Sequence, residues 1–199
     1  IMGLSKIISG AVNGIDAYGV EIEVNLTYAG DPQIVIVGLP DAAVRESQYR
    51  VCSALTNCNF QAFNGRTVVN LAPADVRKEG PIFDLPIALA VLGESLLAKD
   101  KNKFCAEQIL VMGELELSGK IRSVKGVHAA VSTAVSSGIV RCIVPIQNAD
   151  EAREISSAQV YGADTLENAF RALTDASFFE SKSSFSNCLS KDIPNGCEV

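Results

Sequence analysis

A chain of 199 residues, 48% hydrophobic and 20% charged, has the length and composition of one domain with a full core, which excludes disorder throughout. Its formal net charge of −6 excludes a protein that coats nucleic acid by bulk electrostatics, so any DNA contact must use a local patch. No apolar run reaches the length of a membrane span, and residues 1–30 alternate in polarity where a signal peptide would be continuously apolar, so no membrane partner and a cytoplasmic address are expected.

From Leu4 to Val37 polarity alternates with a period near two, most clearly in VEIEVNLTY at 20–28, with turns supplied by Gly14, Gly19 and Gly30-Asp31-Pro32. This predicts three strands of a meander. Asp41 then caps an amphipathic helix with Val44, Val51, Ala54 and Leu55 on its inner face and Arg45, Glu46, Gln48 and Arg50 directed outward. Arg66 to Leu71 reads as a strand. The loop APADVRKEGP leads from it into a helix over 85–98 that is apolar on nearly every face and is expected at the centre of the core, with Asp84 as its N-cap and Pro86 in its first turn. Ile109 to Leu117 reads as one strand, Gly119 as a turn and Ile121 to Val124 as a continuation of the sheet. A helix follows from Gly126 and stops at Gly138. A strand at 140–145, a short helix at 148–155, a strand at 159–161 and a helix at 165–173 complete the pattern. Residues 1–175 are expected to form the domain, and the serine-rich, aperiodic 176–199 a linker. Strands and helices in this order predict an α/β two-layer sandwich of mixed sheet and helices.

Tests for chemistry are mostly negative. Cys52, Cys58, Cys105, Cys142, Cys188 and Cys197 include no C-x-x-C pair, and His128 cannot complete a zinc pattern with them, so reduced thiols and no metal site are expected. The nearest approach to a phosphate-binding P-loop, GELELSGKI at 113–121, has its glycines one residue too far apart and Ile121 where Ser or Thr would meet magnesium. A carboxylate at Asp84 would satisfy the free N–H groups of the following helix and repel a phosphate there. His128 has no neighbour fixed beside it and is expected to face solvent.

What remains is charge. Arg77 and Lys78 stand with Asp75 and Glu79 between two prolines, Arg45 and Arg50 lie on the preceding helix, and Lys120 and Arg122 lie around the Gly119 turn. These six cations are the candidates for contact with DNA backbone or a protein partner. Asp41, Gly80, Pro81 and Asp84 are the expected structural supports. Lys99, Lys101 and Lys103 read as an ordinary solvated loop.

The motifs IVGLPDAAVRESQYRV at 36–51, NLAPADVRKEGPIFDLPIALAVL at 70–92 and MGELELSGKIRSVKGVHAA at 112–130 resemble the amino-terminal domain of the ComM/YifB family, often labelled magnesium-chelatase-like. The resemblance covers about residues 3–173 and implies the fold of the Lon proteolytic domain. In Lon-type domains the serine nucleophile follows Gly-Pro, which falls on Ile82 here, and the lysine base falls on Ala130. Both members of the dyad are thus absent, and no catalytic residue or fragment-level enzymatic activity is expected. The resemblance further implies that an AAA+ module, binding ATP and Mg2+, follows in the full-length parent. That parent would be a hexameric DNA motor for branch migration in natural transformation, whereas this piece needs no cofactor. Two roles follow: contact with single-stranded or branched DNA plus ring assembly with neighbouring subunits, or regulation of the domain's own ATPase through protein contact alone.

Overall fold

The computed structural model describes residues 5–13, 16–27, 33–60, 65–97, 109–175 and 177–180. Strands β1 (Ser5–Asn13) and β2 (Asp16–Thr27) pair antiparallel along their length, as period-two alternation requires. The third strand, β3 (Gln33–Val37), does not extend a meander. Strand β4 (Arg66–Ala72) inserts between it and β2, antiparallel to β2 and parallel to β3. The reason is the helix α1 (Ala42–Asn57), which carries the chain from β3 over the sheet and returns it in the same direction. Alternation identifies a strand without naming its neighbour.

The central helix α2 (Asp84–Leu97) is buried throughout 85–92, as its sequence demands, and is preceded by a 3-10 turn at Pro81–Phe83. The expected single strand at 109–117 breaks. Strand β5 (Ile109–Val111) joins the main sheet, whereas β6 (Glu114–Leu115) pairs with β7 (Ile121–Arg122) in a separate hairpin. Gly113 causes the break: its N–H donates to the Ile82 carbonyl and its carbonyl accepts from the Leu85 N–H, both at 3.0 Å, so its main chain serves the entry to α2. Strands β8 (Arg141–Pro145) and β9 (Gln159–Ala163) then add in parallel, giving the order β3-β4-β2-β1-β5-β8-β9.

The helices α3 (Val127–Ser136), α4 (Ala149–Arg153) and α5 (Leu166–Thr174) correct the two-layer expectation. Successive residues of β5 and β8 enter different cores. Ile109, Val111 and Ile143 pack with α1, α2 and α5, whereas Leu110, Met112, Cys142 and Val144 pack with α3 and α4. The sheet is therefore covered on both faces from β1 to β9, which is why β5 and β8 read as unbroken apolar runs. On the second face α3 reaches β1 and β2, and beyond them β4 and β3 carry no helix among the described residues. Beside α3, Lys6 bridges Glu21 and Glu23 at 3.0 and 3.1 Å, and Asn70 donates to Glu23.

Thr165 caps α5 by accepting from the Asn168 N–H, and Gly138 follows the end of α3 with φ +87°. A one-turn helix α6 (Ser177–Glu180) lies beyond the expected domain end, with Phe179 buried beside Tyr161. The remaining tail, the lysines at 99, 101 and 103, and Cys105, Cys188 and Cys197 lie outside the described residues. Cys52, Cys58 and Cys142 are free thiols. No helix among the described residues is long and apolar enough to cross a membrane.

Candidate interaction surface

The charged loop is built around one of its own cations. Lys78 has no exposed surface, and its Nζ donates to the Val76 carbonyl at 2.7 Å and to the Pro73 carbonyl. Its backbone is also held, the N–H donating to Leu39 O and the carbonyl accepting from Asp41 N–H. Burial lowers the Lys78 pKa and nearby Asp75 partly offsets this. Lys78 is therefore corrected from a candidate contact to the loop's internal staple: an ammonium enclosed by carbonyls has no charge to present to a phosphate.

Asp41 fastens this loop to α1. One carboxylate oxygen accepts from the Val44 N–H at 2.7 Å, as expected of an N-cap, and the other from the Gly80 N–H at 3.3 Å. Gly80 sits at φ +81°, a conformation that glycine adopts without strain, and Pro81 opens the 3-10 turn.

Arg50 also requires correction. Its Nε and Nη2 reach the two oxygens of Asp84 at 2.6 and 3.1 Å, and Nη2 also donates to Ala43 O and Ser47 Oγ. Asp84 is fully buried and accepts in addition from the Leu115 N–H at 3.2 Å. Asp84 is itself the first residue of α2, and its carboxylate ties α1 to the β6–β7 hairpin, a role different from the expected N-cap. The pair raises the Arg50 pKa, led by the hydrogen bond to Asp84. Such a bidentate buried pair is a structural junction.

The other cations divide between two places. Arg77 is exposed and pairs with Glu79 at 3.5 Å, while its carbonyl accepts from the Tyr18 hydroxyl. Arg45 is exposed and, among the described residues, its side chain donates only to the Asp41 carbonyl at 3.4 Å. On the hairpin, Arg122 pairs with Glu116 at 3.0 Å and Glu114 at 3.8 Å, and it holds the Glu116 carboxyl below its usual range. Lys120 is exposed beside a polar basin that Glu114, Glu116 and Asp164 also line. Asn57 and Cys58 bond the turn of the hairpin at Leu117 and Ser118, past the end of α1, while its base returns to Asp84 through the Leu115 N–H. Of the six cations, Lys78 is enclosed by carbonyls and Arg50, Arg77 and Arg122 are ion-paired, which leaves Arg45 and Lys120 exposed without an ion pair among the described residues.

Of the two positions on which the resemblance places a Lon-type dyad, Ile82 packs against both cores and Ala130 is buried in α3. Neither side chain carries a group that transfers a proton. His128 faces solvent, 3.7 Å from Glu154. Among the described residues no group of His, Cys, Asp and Glu has the arrangement of a metal site.

A family model described as subunit ChlI of Mg-chelatase matches residues 22–148, more than half of the chain. The chain belongs to the magnesium-chelatase-like ComM/YifB family. Among its members, competence protein ComM of Haemophilus influenzae is 42% identical over 165 residues, covering 83% of this chain and 31% of that protein. YifB of Salmonella typhimurium is 34% identical over 192 residues, covering 96% and 36%. The chain thus spans about a third of the length of these relatives. DNA repair protein RadA of Halalkalibacterium halodurans is 30% identical over 106 residues, 53% of this chain and 22% of its own. Every candidate cation, and the Arg50–Asp84 junction with them, lies inside the segment that carries the family's signature.

That junction escaped the sequence reading, although one signal was present. Arg50 follows Ser47 by three residues and precedes Ala54 by four, which places it on the border of the buried stripe of α1.

Proposed function

We propose that this domain is an assembly and coupling module of a longer ComM-type AAA+ DNA motor, meeting protein rather than gripping DNA through its charged loop. The observation that carries this reading is the consumption of four of the six candidate cations, Lys78 by burial and Arg50, Arg77 and Arg122 by carboxylates. Exposed ion pairs neutralise rather than attract a polyanion. The names of the relatives, a competence protein and a DNA repair protein, support a DNA-related setting for the whole. In it ATP and Mg2+ belong to the AAA+ module, and this domain contributes to a hexameric ring. A mixed sheet packed against Ile82 in the turn before α2 and Ala130 in α3 fits a Lon-type scaffold kept without its dyad.

Direct DNA contact is the second reading, favoured by the unpaired Arg45 and Lys120 and by the similarity to RadA. The test is the pair Arg45→Ala and Lys120→Ala in the full-length protein, compared with deletion of the domain. The assembly reading expects unchanged DNA affinity for the double variant, and loss of ring formation or of DNA-stimulated ATPase on deletion. Salt-dependent loss of DNA binding in the double variant, with assembly intact, would replace it with the second reading.

A further inference from the structure

A cavity of about 380 Å3 opens where the second face of β1 and β2 meets α3. Its volume is that of about a dozen water molecules, within the range of sites that take a large side chain or a small molecule. The walls are apolar, from Ile8, Leu110, Ala130 and Ile139, while Glu21 and the hydroxyl residues Thr133 and Ser137 stand at the polar parts of the lining. Such a hole suits a group with an apolar body and a hydrogen-bond donor at its tip.

Two glycines face each other on its floor, Gly10 and Gly19, and they differ in kind. At Gly10 a β-carbon would lie 2.5 Å from that of Ala130, so the approach of α3 requires glycine. At Gly19 a β-carbon would meet nothing within 4 Å. Glycine inside a strand weakens it and marks positions that another group approaches closely. Nothing within the described residues makes that approach.

The chain displays a group of the required chemistry elsewhere. Tyr49 on α1 is 68% exposed and makes no hydrogen bond or ring contact among the described residues. Arg45 lies one turn before it on the same exposed face, without a carboxylate partner. Beside the cavity, Glu21 and Glu23 share the single ammonium of Lys6, leaving one negative charge in excess. The projection and the hole are therefore complementary in shape class and in charge. They also lie on opposite faces of the sheet, since α1 packs with the first core and α3 with the second, so no molecule can fill its own cavity.

The geometry points to head-to-tail self-association in which Tyr49 of one copy enters the Gly19 cavity of the next, with Arg45 against Glu21. A contact between two different patches leaves one of each free at every step, and closes into a ring or runs on as a filament. This rests on the assembly reading above and gives it an interface.

Sedimentation velocity on the chain, on Tyr49→Ala, on Gly19→Val and on an equimolar mixture of the two variants tests the assignment. The native chain should form concentration-dependent species larger than a dimer. Each variant alone should associate about 30-fold more weakly, the loss expected of a central aromatic contact. The mixture should give a heterodimer and nothing larger, because Gly19→Val supplies the only projection and Tyr49→Ala the only open hole. Circular dichroism checks folding, and Ser137→Arg at the exposed rim replaces Gly19→Val if that variant does not fold. Association of the variants at native strength, a mixture that stays monomeric, or a native chain monomeric at every soluble concentration would each overturn the interface. Loss of ring formation on deleting the domain from the longer protein would still uphold the assembly reading.

Discussion

Removing Arg50 should cost far more than removing the partner it serves. Asp84 has no exposed surface, so Arg50→Ala leaves a buried carboxylate whose remaining described donor is the Leu115 N–H at 3.2 Å. Orphaning one member of a buried pair costs about 3–5 kcal/mol. The reverse change is milder, because the Arg50 side chain is 21% exposed and its guanidinium can turn toward water, and because the amide oxygen that Asp84→Asn introduces would still accept from the Leu115 N–H. About 2 kcal/mol is expected there. Replacing both by apolar side chains, Arg50→Met with Asp84→Leu, should recover much of the larger loss. In urea, with a slope of about 2 kcal/mol per molar, Arg50→Ala should lower the midpoint by about 1.5–2.5 M at unchanged slope. Arg77→Ala, which breaks a pair 71% exposed on both sides, is the control and should shift stability by at most about 1 kcal/mol. Equal midpoints for Arg50→Ala and Arg77→Ala would refute the junction.

Lys78→Met should destabilise the domain by about 1–3 kcal/mol by leaving the Pro73 and Val76 carbonyls without their donor, measured by the same denaturation. Because burial holds the Lys78 pKa below its ordinary 10.5, the unfolded chain binds more protons between those two values. Stability should therefore rise with pH across that window in the native chain, and Lys78→Met should remove this component of the rise. Burial pushes the Cys142 thiol up to about 12, and burial with Glu167 pushes Cys58 up to about 11, so both should resist alkylation at about pH 8 until the chain unfolds, as followed by mass spectrometry. Gly119→Ala should cost about 1–3 kcal/mol, since φ is +87° and the new β-carbon would stand 2.3 Å from Cys58 Sγ; an unchanged melting point would contradict this.

The helices were legible because each carries its own boundary chemistry: Asp41 and Thr165 at the starts of α1 and α5, Gly138 after α3, and an unbroken apolar run in α2. Apart from 109–124, which divides between the main sheet and a hairpin, the sheet was legible strand by strand but not in its order, because period-two alternation in 33–37 and 66–72 is the same whether β3 meets β2 or β4. The second helical layer had a visible sign in Ile109–Met112 and Cys142–Pro145, whose consecutive apolar residues need cover on both faces. At the charged loop the residue types were right and their surroundings were not readable. Lys78 and Arg77 are neighbours with identical charge, yet one is enclosed by backbone carbonyls and the other stands in water. The difference arises from how 73–78 curls, which no side-chain pattern encodes.

On either side of Asp84 the entry to α2 is fastened through main-chain groups, Gly113 exchanging hydrogen bonds with Ile82 and Leu85. Residue 82 is thus gripped by its backbone while its side chain rests between two cores. The architecture is indifferent to what that side chain is, provided it packs, so a reactive group could be lost or regained there by a single codon change without refolding the scaffold around it.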